Sequence, residues 1–195
     1  MKRLLIILVG IFVLTIPSAF AQLNDLTGEM LIGGYLGYSI GMGDPFKDYE
    51  TANYKVTTNA GFCFGGTFYY GLQEKLMIGG EIMFQSYGGD VEYTGTSQYG
   101  YTGSGGASST ELSILANGLY AMNIDDESAF FLCGGAGLYD YGGMKLGLNA
   151  GVMYRKMLSD NFYIYGQPRF HLVLADATFE LLQLAVGVQY MIGPK

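Results

Sequence analysis

What the chain has little of narrows it first. Charged residues make up only 14% of its 195 positions and tryptophan is absent, whereas an ordinary soluble domain is about one quarter charged. So few ions describe a protein with a large uncharged surface. Basic residues are the scarcer sign, ten against 17 acidic ones, and that balance repels nucleic acid. There is one histidine, His171, and there are two cysteines, Cys63 and Cys133, too few and too scattered to suggest a metal-ligand set. No Asp and Asn spacing matches a calcium loop, and no Gly-rich phosphate cradle leads from a strand into a helix. The expectation is therefore no metal, no cofactor and no catalytic constellation. After residue 21 no stretch offers the about 18 uninterrupted apolar residues of a membrane-spanning helix.

The N-terminal segment is different in kind. Lys2 and Arg3 precede an apolar core from Leu4 to Ile16, and Pro17-Ser18-Ala19-Phe20-Ala21 ends with the small residues that signal peptidase accepts. Residues 1–21 read as a cleaved signal peptide and residues 22–195 as one exported domain, with Gln22 as the new N-terminus. The signal takes two of the ten basic residues and none of the 17 acidic ones, which leaves eight against 17, a net charge of −9.

In the exported part, 31 Gly, 17 Tyr and 12 Phe are arranged with period two, the repeat of a β-strand. Eight runs carry it: Gly28–Gly41, Asn59–Gly71, Leu76–Gly88, Ser109–Met122, Ser128–Tyr139, Lys145–Met157, Asn161–Leu174 and Glu180–Ile192. One stripe holds bulky apolar groups such as Ile32, Leu36, Phe64, Ile82, Leu148 and Val186. The other holds Gly33, Gly37, Gly65, Gly79, Gly135 and Gly151 with polar partners. Leu115 and Leu119 blur the second stripe of the fourth run. Eight antiparallel runs of this length make an all-β, up-and-down, eight-stranded transmembrane barrel.

Sidedness follows from glycine and charge. Glycine weakens a strand and is favoured where other groups crowd close, as in the narrow lumen of an eight-stranded barrel. Six charges in the strand bodies, Glu29, Glu81, Glu111, Lys145, Arg155 and Arg169, all fall on the Gly-rich stripe. Three negatives meet three positives, and none faces lipid, where Arg or Lys at the midplane would cost about 2 to 4 kcal/mol. Glu81 and Arg169 belong to the third and seventh strands, opposite each other in the ring. The expectation is a neutral internal network that plugs the lumen. Lys156, on the apolar stripe, sits at a strand end where its side chain can snorkel.

Residues 42–58 and 89–108 read as two long polar loops, and Leu72–Lys75, Asn123–Glu127 and Leu158–Asp160 as tight turns. In outer-membrane barrels short turns face the periplasm and longer loops face outward. The Tyr-rich stretch from Tyr93 to Ser109 has the composition of an adaptable contact surface, with its partner unspecified. Cys63 and Cys133 lie on the second and fifth runs, three steps around the ring, farther apart than the about 7 Å that a disulfide allows. Both are expected as small luminal side chains.

The final run carries the most specific pattern. Gly187-Val188-Gln189-Tyr190-Met191-Ile192 resembles the C-terminal assembly signal of the small eight-stranded outer-membrane barrels of the OmpA and OmpX type. Leu148-Asn149-Ala150-Gly151-Val152 with Asn161-Phe162-Tyr163-Ile164-Tyr165-Gly166 is similar to that family's penultimate hairpin. The chain departs from the pattern at Ala185, where a polar residue is usual, and in ending on Gly193-Pro194-Lys195. The resemblance implies a porin-like barrel in the outer membrane of a Gram-negative-type bacterium, contact with outer-membrane lipid, and recognition of Gly187, Tyr190 and Ile192 by the barrel-assembly machinery. It implies a structural or surface-interaction role and no enzyme. An outer-membrane lipid-modifying barrel enzyme is the alternative, and it would need a Ser or carboxylate brought to His171, whereas Leu172 and Val173 follow it. A soluble lipocalin-like carrier is the second alternative, with the apolar stripe turned inward.

Overall fold

The computed structural model describes residues 25–42, 49–50, 54–93, 104–125, 127–175 and 178–192. The signal peptide and the C-terminal Gly193-Pro194-Lys195 lie outside the described residues. The strands are β1 (Met30–Met42), the two-residue β2 (Tyr49–Glu50), β3 (Tyr54–Gln73), β4 (Leu76–Tyr93), β5 (Ser104–Ile124), β6 (Ser128–Asp140), β7 (Met144–Ser159), β8 (Phe162–Leu174) and β9 (Phe179–Ile192). Each long strand pairs with its chain neighbours, and β1 pairs with both β3 and β9. The sheet thus closes into a barrel of eight antiparallel staves, with β2 appended to β3. Closure removes the free edges that an open sheet would present.

The two stripes separate as the period-two pattern requires. Ile32, Phe64, Ile82, Leu148 and Val186 stand on the outer wall, whose large apolar groups are between 36% and 63% exposed. Glu81, Arg169, His171, Gln183 and Gln189 are buried inside. A lipocalin-like carrier would have the reverse polarity, and the structure excludes it. Leu115 and Leu119 also point inward, which resolves the blurred fourth run.

Register explains how the lumen is filled. Luminal glycines lie directly across from large side chains of the next stave: Tyr35 opposite Gly65, Tyr69 opposite Gly79, Leu115 opposite Gly137, Arg169 opposite Gly151 and Tyr165 opposite Gly187. A methyl group added at Gly65 or Gly187 would come within 2.6 Å of the Tyr35 or Tyr165 ring. The glycines are thus the floor on which the tyrosines lie. An eight-stranded interior has just enough width for this.

The staves differ in length. β3, β4 and β5 have 20, 18 and 21 residues, whereas β6, β8 and β9 have 13, 13 and 14. Since about 9 to 11 tilted residues span a bilayer core, the three long staves extend beyond the others at the end opposite the tight turns. This corrects the reading of 42–58 and 89–108 as loops. Tyr54 pairs with Tyr93 and Glu92 with Ser104, so much of both spans is strand. Beyond the membrane a strand needs no apolar stripe, and polar pairing there carries no period-two signal. The central part of the Tyr93–Ser109 stretch, residues 94–103, lies outside the described residues. Glu29 also shifts, to one residue before β1.

Candidate functional site

The lumen holds the chemistry of this chain, in three layers. At mid-height Glu81 of β4 and Arg169 of β8 meet across the barrel, Nη1 to Oε2 at 2.5 Å, with both side chains fully buried. They are brought together because four steps around an eight-stave ring span its diameter. Tyr35 of β1 donates its hydroxyl to Oε1 of Glu81. Asn117 donates to Oε2 at 2.8 Å and accepts from Asn149 at 2.9 Å. Glu81 is thus held from β1, β5 and β8 at once.

Toward the end opposite the tight turns lies a layer built mainly of hydroxyls and amides, with Glu111 near Tyr87 and Tyr141. Ser39 and Tyr87 both donate to Gln85, and Tyr141 donates to Tyr87 at 3.0 Å. The Tyr141 ring stacks on Phe179 with centroids 4.9 Å apart. His171 is fully buried between the Tyr139 hydroxyl, 2.9 Å from Nδ1, and Gln183 Oε1, 3.2 Å from Nε2. Among the described residues His171 hydrogen-bonds to neither a serine nor a carboxylate.

Toward the tight turns Arg155 faces Glu29 at 3.9 Å. Its guanidinium carbon lies 4.4 Å from the Tyr163 ring centroid and 5.2 Å from that of Phe131, an arrangement in which ring faces attract the cation. A recess of about 530 Å³ opens below it, lined by Asp25, Glu29, Asp125, Glu127 and Arg155 among others. Asp125 accepts from the Ser128 amide at 2.6 Å, from its hydroxyl at 2.9 Å and from the Glu127 amide at 3.2 Å. Burial works against its charge, but the Ser128 and Glu127 bonds outweigh it and hold the carboxyl below its usual range.

Of the six charges expected in one network, then, four form two separate pairs. Glu111 and Lys145 lie nearer the end opposite the tight turns, in neither pair. Tyr35, Tyr87 and Tyr139 were missed as network members, although all three share the glycine stripe by parity alone. Cys63 and Cys133 are buried and free, on β3 and β6. Among the described residues no three His, Cys, Asp or Glu side chains converge on a point. Gly187, Tyr190 and Ile192 lie on β9, Tyr190 and Ile192 on the outer wall, and the Tyr190 ring packs against Phe162 at 4.9 Å.

No family profile matches the chain, and no curated protein does. Solved structures do match. Neisserial surface protein A is 13% identical, with 84% of this chain and 97% of that one covered and a TM-score of 0.53. The N-terminal β-barrel domain of Pseudomonas aeruginosa OprF is 11% identical, with 85% and 98% covered and a TM-score of 0.48. The attachment invasion locus protein Ail of Yersinia pestis is 14% identical, with 85% and 99% covered and a TM-score of 0.49. At such identities the likeness is one of fold. With an apolar outer wall, a polar packed lumen and eight closed antiparallel staves, the chain has the fold of the small transmembrane β-barrels of bacterial outer membranes.

Proposed function

We propose that the protein is a non-conducting integral outer-membrane barrel, exported by cleavage after residue 21, whose role is structural or contact-making at the cell surface. The Glu81–Arg169 pair carries this reading. It joins opposite staves at mid-height with both partners fully buried, and Tyr35, Asn117 and Asn149 fill the same level. An ion would have to displace a charge pair to pass. The surroundings of His171 support packing over catalysis, because Tyr139 and Gln183 hold its two nitrogens. The tight-turn end faces the periplasm and the extended β3–β4–β5 end faces outward, following the usual orientation of such barrels. Gly187, Tyr190 and Ile192 serve the assembly machinery, and the outer wall meets lipid.

Two measurements test this together. The purified barrel, reconstituted in planar bilayers, is expected to show no unitary conductance steps. Protease added to intact cells is expected to cut within residues 94–103 and to leave the tight turns uncut. Steady conductance by the wild-type protein, or cleavage at Asp125–Ser128 instead, refutes the reading.

A further inference from the structure

The recess at the tight-turn end has walls fixed by the main chain. Leu26 donates its amide to Glu74 at 3.2 Å, and Glu127 accepts from the Met157 amide at 2.6 Å. Arg155 lines the recess and is only 4% exposed, so it forms the floor. The Tyr163 and Phe131 rings take the faces of its guanidinium, which leaves the in-plane N–H groups to be answered by an acceptor. Those groups have none among the described residues: Nε and Nη1 are buried without a hydrogen-bond partner, and Nη2 stands 3.9 Å from Glu29 Oε2, too far for a hydrogen bond. Such a planar set of donors matches a carboxylate.

A simple anion does not suit the rest of the lining. Asp25, Glu29, Asp125 and Glu127 bring four carboxylates against the one guanidinium of Arg155, a net −3 among the described lining residues, and that balance repels it. A simple cation leaves Arg155 unanswered. An α-amino acid carries both signs side by side, and its carboxylate and ammonium match, head to tail, the Arg155 and Glu29 that stand just short of bonding each other. Glu29 has further contacts of its own, which the several acceptor sites of a carboxylate allow. Three carboxylates remain for a second positive charge: Asp25 and Glu127 are exposed at the rim, with Asp125 half-buried beside Glu127. The walls include Leu26, Ile124, Met157 and Met191, apolar groups along which the aliphatic stem of a basic side chain can lie.

We infer that this recess binds a free basic α-amino acid of the lysine type, with its carboxylate on Arg155, its α-ammonium toward Glu29 and its side-chain ammonium at the rim beside Asp25 and Glu127. The inference goes beyond the proposed role of the barrel and stands apart from it, since the recess keeps its lining whichever way the barrel faces.

The full-length barrel in an uncharged maltoside detergent at low salt is titrated calorimetrically with L-lysine. Each comparison probe deletes one feature: norleucine lacks the side-chain ammonium, lysinamide the carboxylate and Nα-acetyl-lysine the α-ammonium. Lysine is expected to bind saturably, one molecule per barrel, and each of the three probes about tenfold or more weakly than lysine, since each loses a charge-assisted bond. Asp25→Asn combined with Glu127→Gln alters only exposed side chains and so keeps heat-modifiable migration. That double variant is expected to weaken lysine about threefold or more, as exposed charges do, and to leave norleucine unchanged. Arg155→Lys keeps the charge at the floor but loses the planar fork, and is expected to weaken lysine about tenfold or more. No saturable binding of lysine, a lysinamide affinity equal to that of lysine, or unchanged lysine binding by the rim double variant overturns the inference. So does equal binding of lysine blocked at both its α-amine and its carboxylate, which would mark the recess as a site for a basic side chain of a peptide.

Discussion

Changing Glu81 to Gln isolates the central brace of the barrel. The substitution keeps the size of the side chain and one acceptor oxygen for Asn117 and Arg169, turns the other into an NH2 from which the Tyr35 hydroxyl oxygen can accept, and removes the charge that faces Arg169 at 2.5 Å. Arg169 is 1% exposed, and its Nε and Nη2 have no other partner among the described residues. Glu81 is therefore its one compensating charge there. Removing one partner of such a buried pair costs about 3 to 5 kcal/mol, since the other charge stays buried and uncompensated, whereas replacing both by apolar groups of similar volume is often neutral or stabilising. Glu81→Gln is thus expected to lose about 3 to 5 kcal/mol, and Glu81→Met with Arg169→Met to recover most of that loss. Equilibrium urea unfolding in lipid vesicles, followed by heat-modifiable migration, measures both. The reasoning fails if the single variant costs under about 1 kcal/mol, or if the double variant is no more stable than the single one.

Three other outcomes are expected. A methyl at Gly79 would run into the Phe68 carbonyl oxygen and lie 2.5 Å from the Tyr69 ring, while at Gly80 the nearest atom is 3.7 Å away. Gly79→Ala should therefore lower the urea midpoint by the equivalent of about 1 to 3 kcal/mol, and Gly80→Ala should leave it level or raise it. Asp125 has a lowered pKa in the folded protein, so its contribution is full above the usual carboxyl value of 3.8 and is lost as pH falls through the lower folded value. Asp125→Asn should flatten the acid limb of the stability profile below that point and leave neutral pH little changed in slope. Cys63 and Cys133, at 0% and 6% exposure, should resist maleimide in the folded barrel and both react after unfolding in urea without reductant. Failure of either to react would indicate a bridge between them.

The wall of this barrel was legible because lipid and lumen impose opposite demands on alternate residues. Ile32, Phe64, Ile82 and Val186 announce one face, and Gly65, Gly79 and Glu81 the other. The opposition of Glu81 and Arg169 followed from counting staves. Where that two-sided demand ends, so does the signal. Val56-Thr57-Thr58 and Val91-Glu92-Tyr93 are rich in β-favouring residues, but without an apolar stripe alternating with a polar one in the sequence they read as loop. Their strand character rests on cross-strand pairing with each other and with 104–108. Likewise the tyrosine-over-glycine contacts depend on register between staves, which one strand's own periodicity does not contain. The sorting of four of the six charges into two pairs depends on height along the axis, and stave number alone does not give it.

Glu81 and Arg169 are 88 residues apart in the chain, and neither is neutralised until the staves that bear them share one ring. Any insertion path that commits β8 to hydrocarbon before β4 is in place would strand a bare guanidinium there. Assembly of the wall is consequently concerted across its two halves: an ionic contact that joins opposite staves acts as a late checkpoint, and a half-built sheet is penalised by its own unanswered charge.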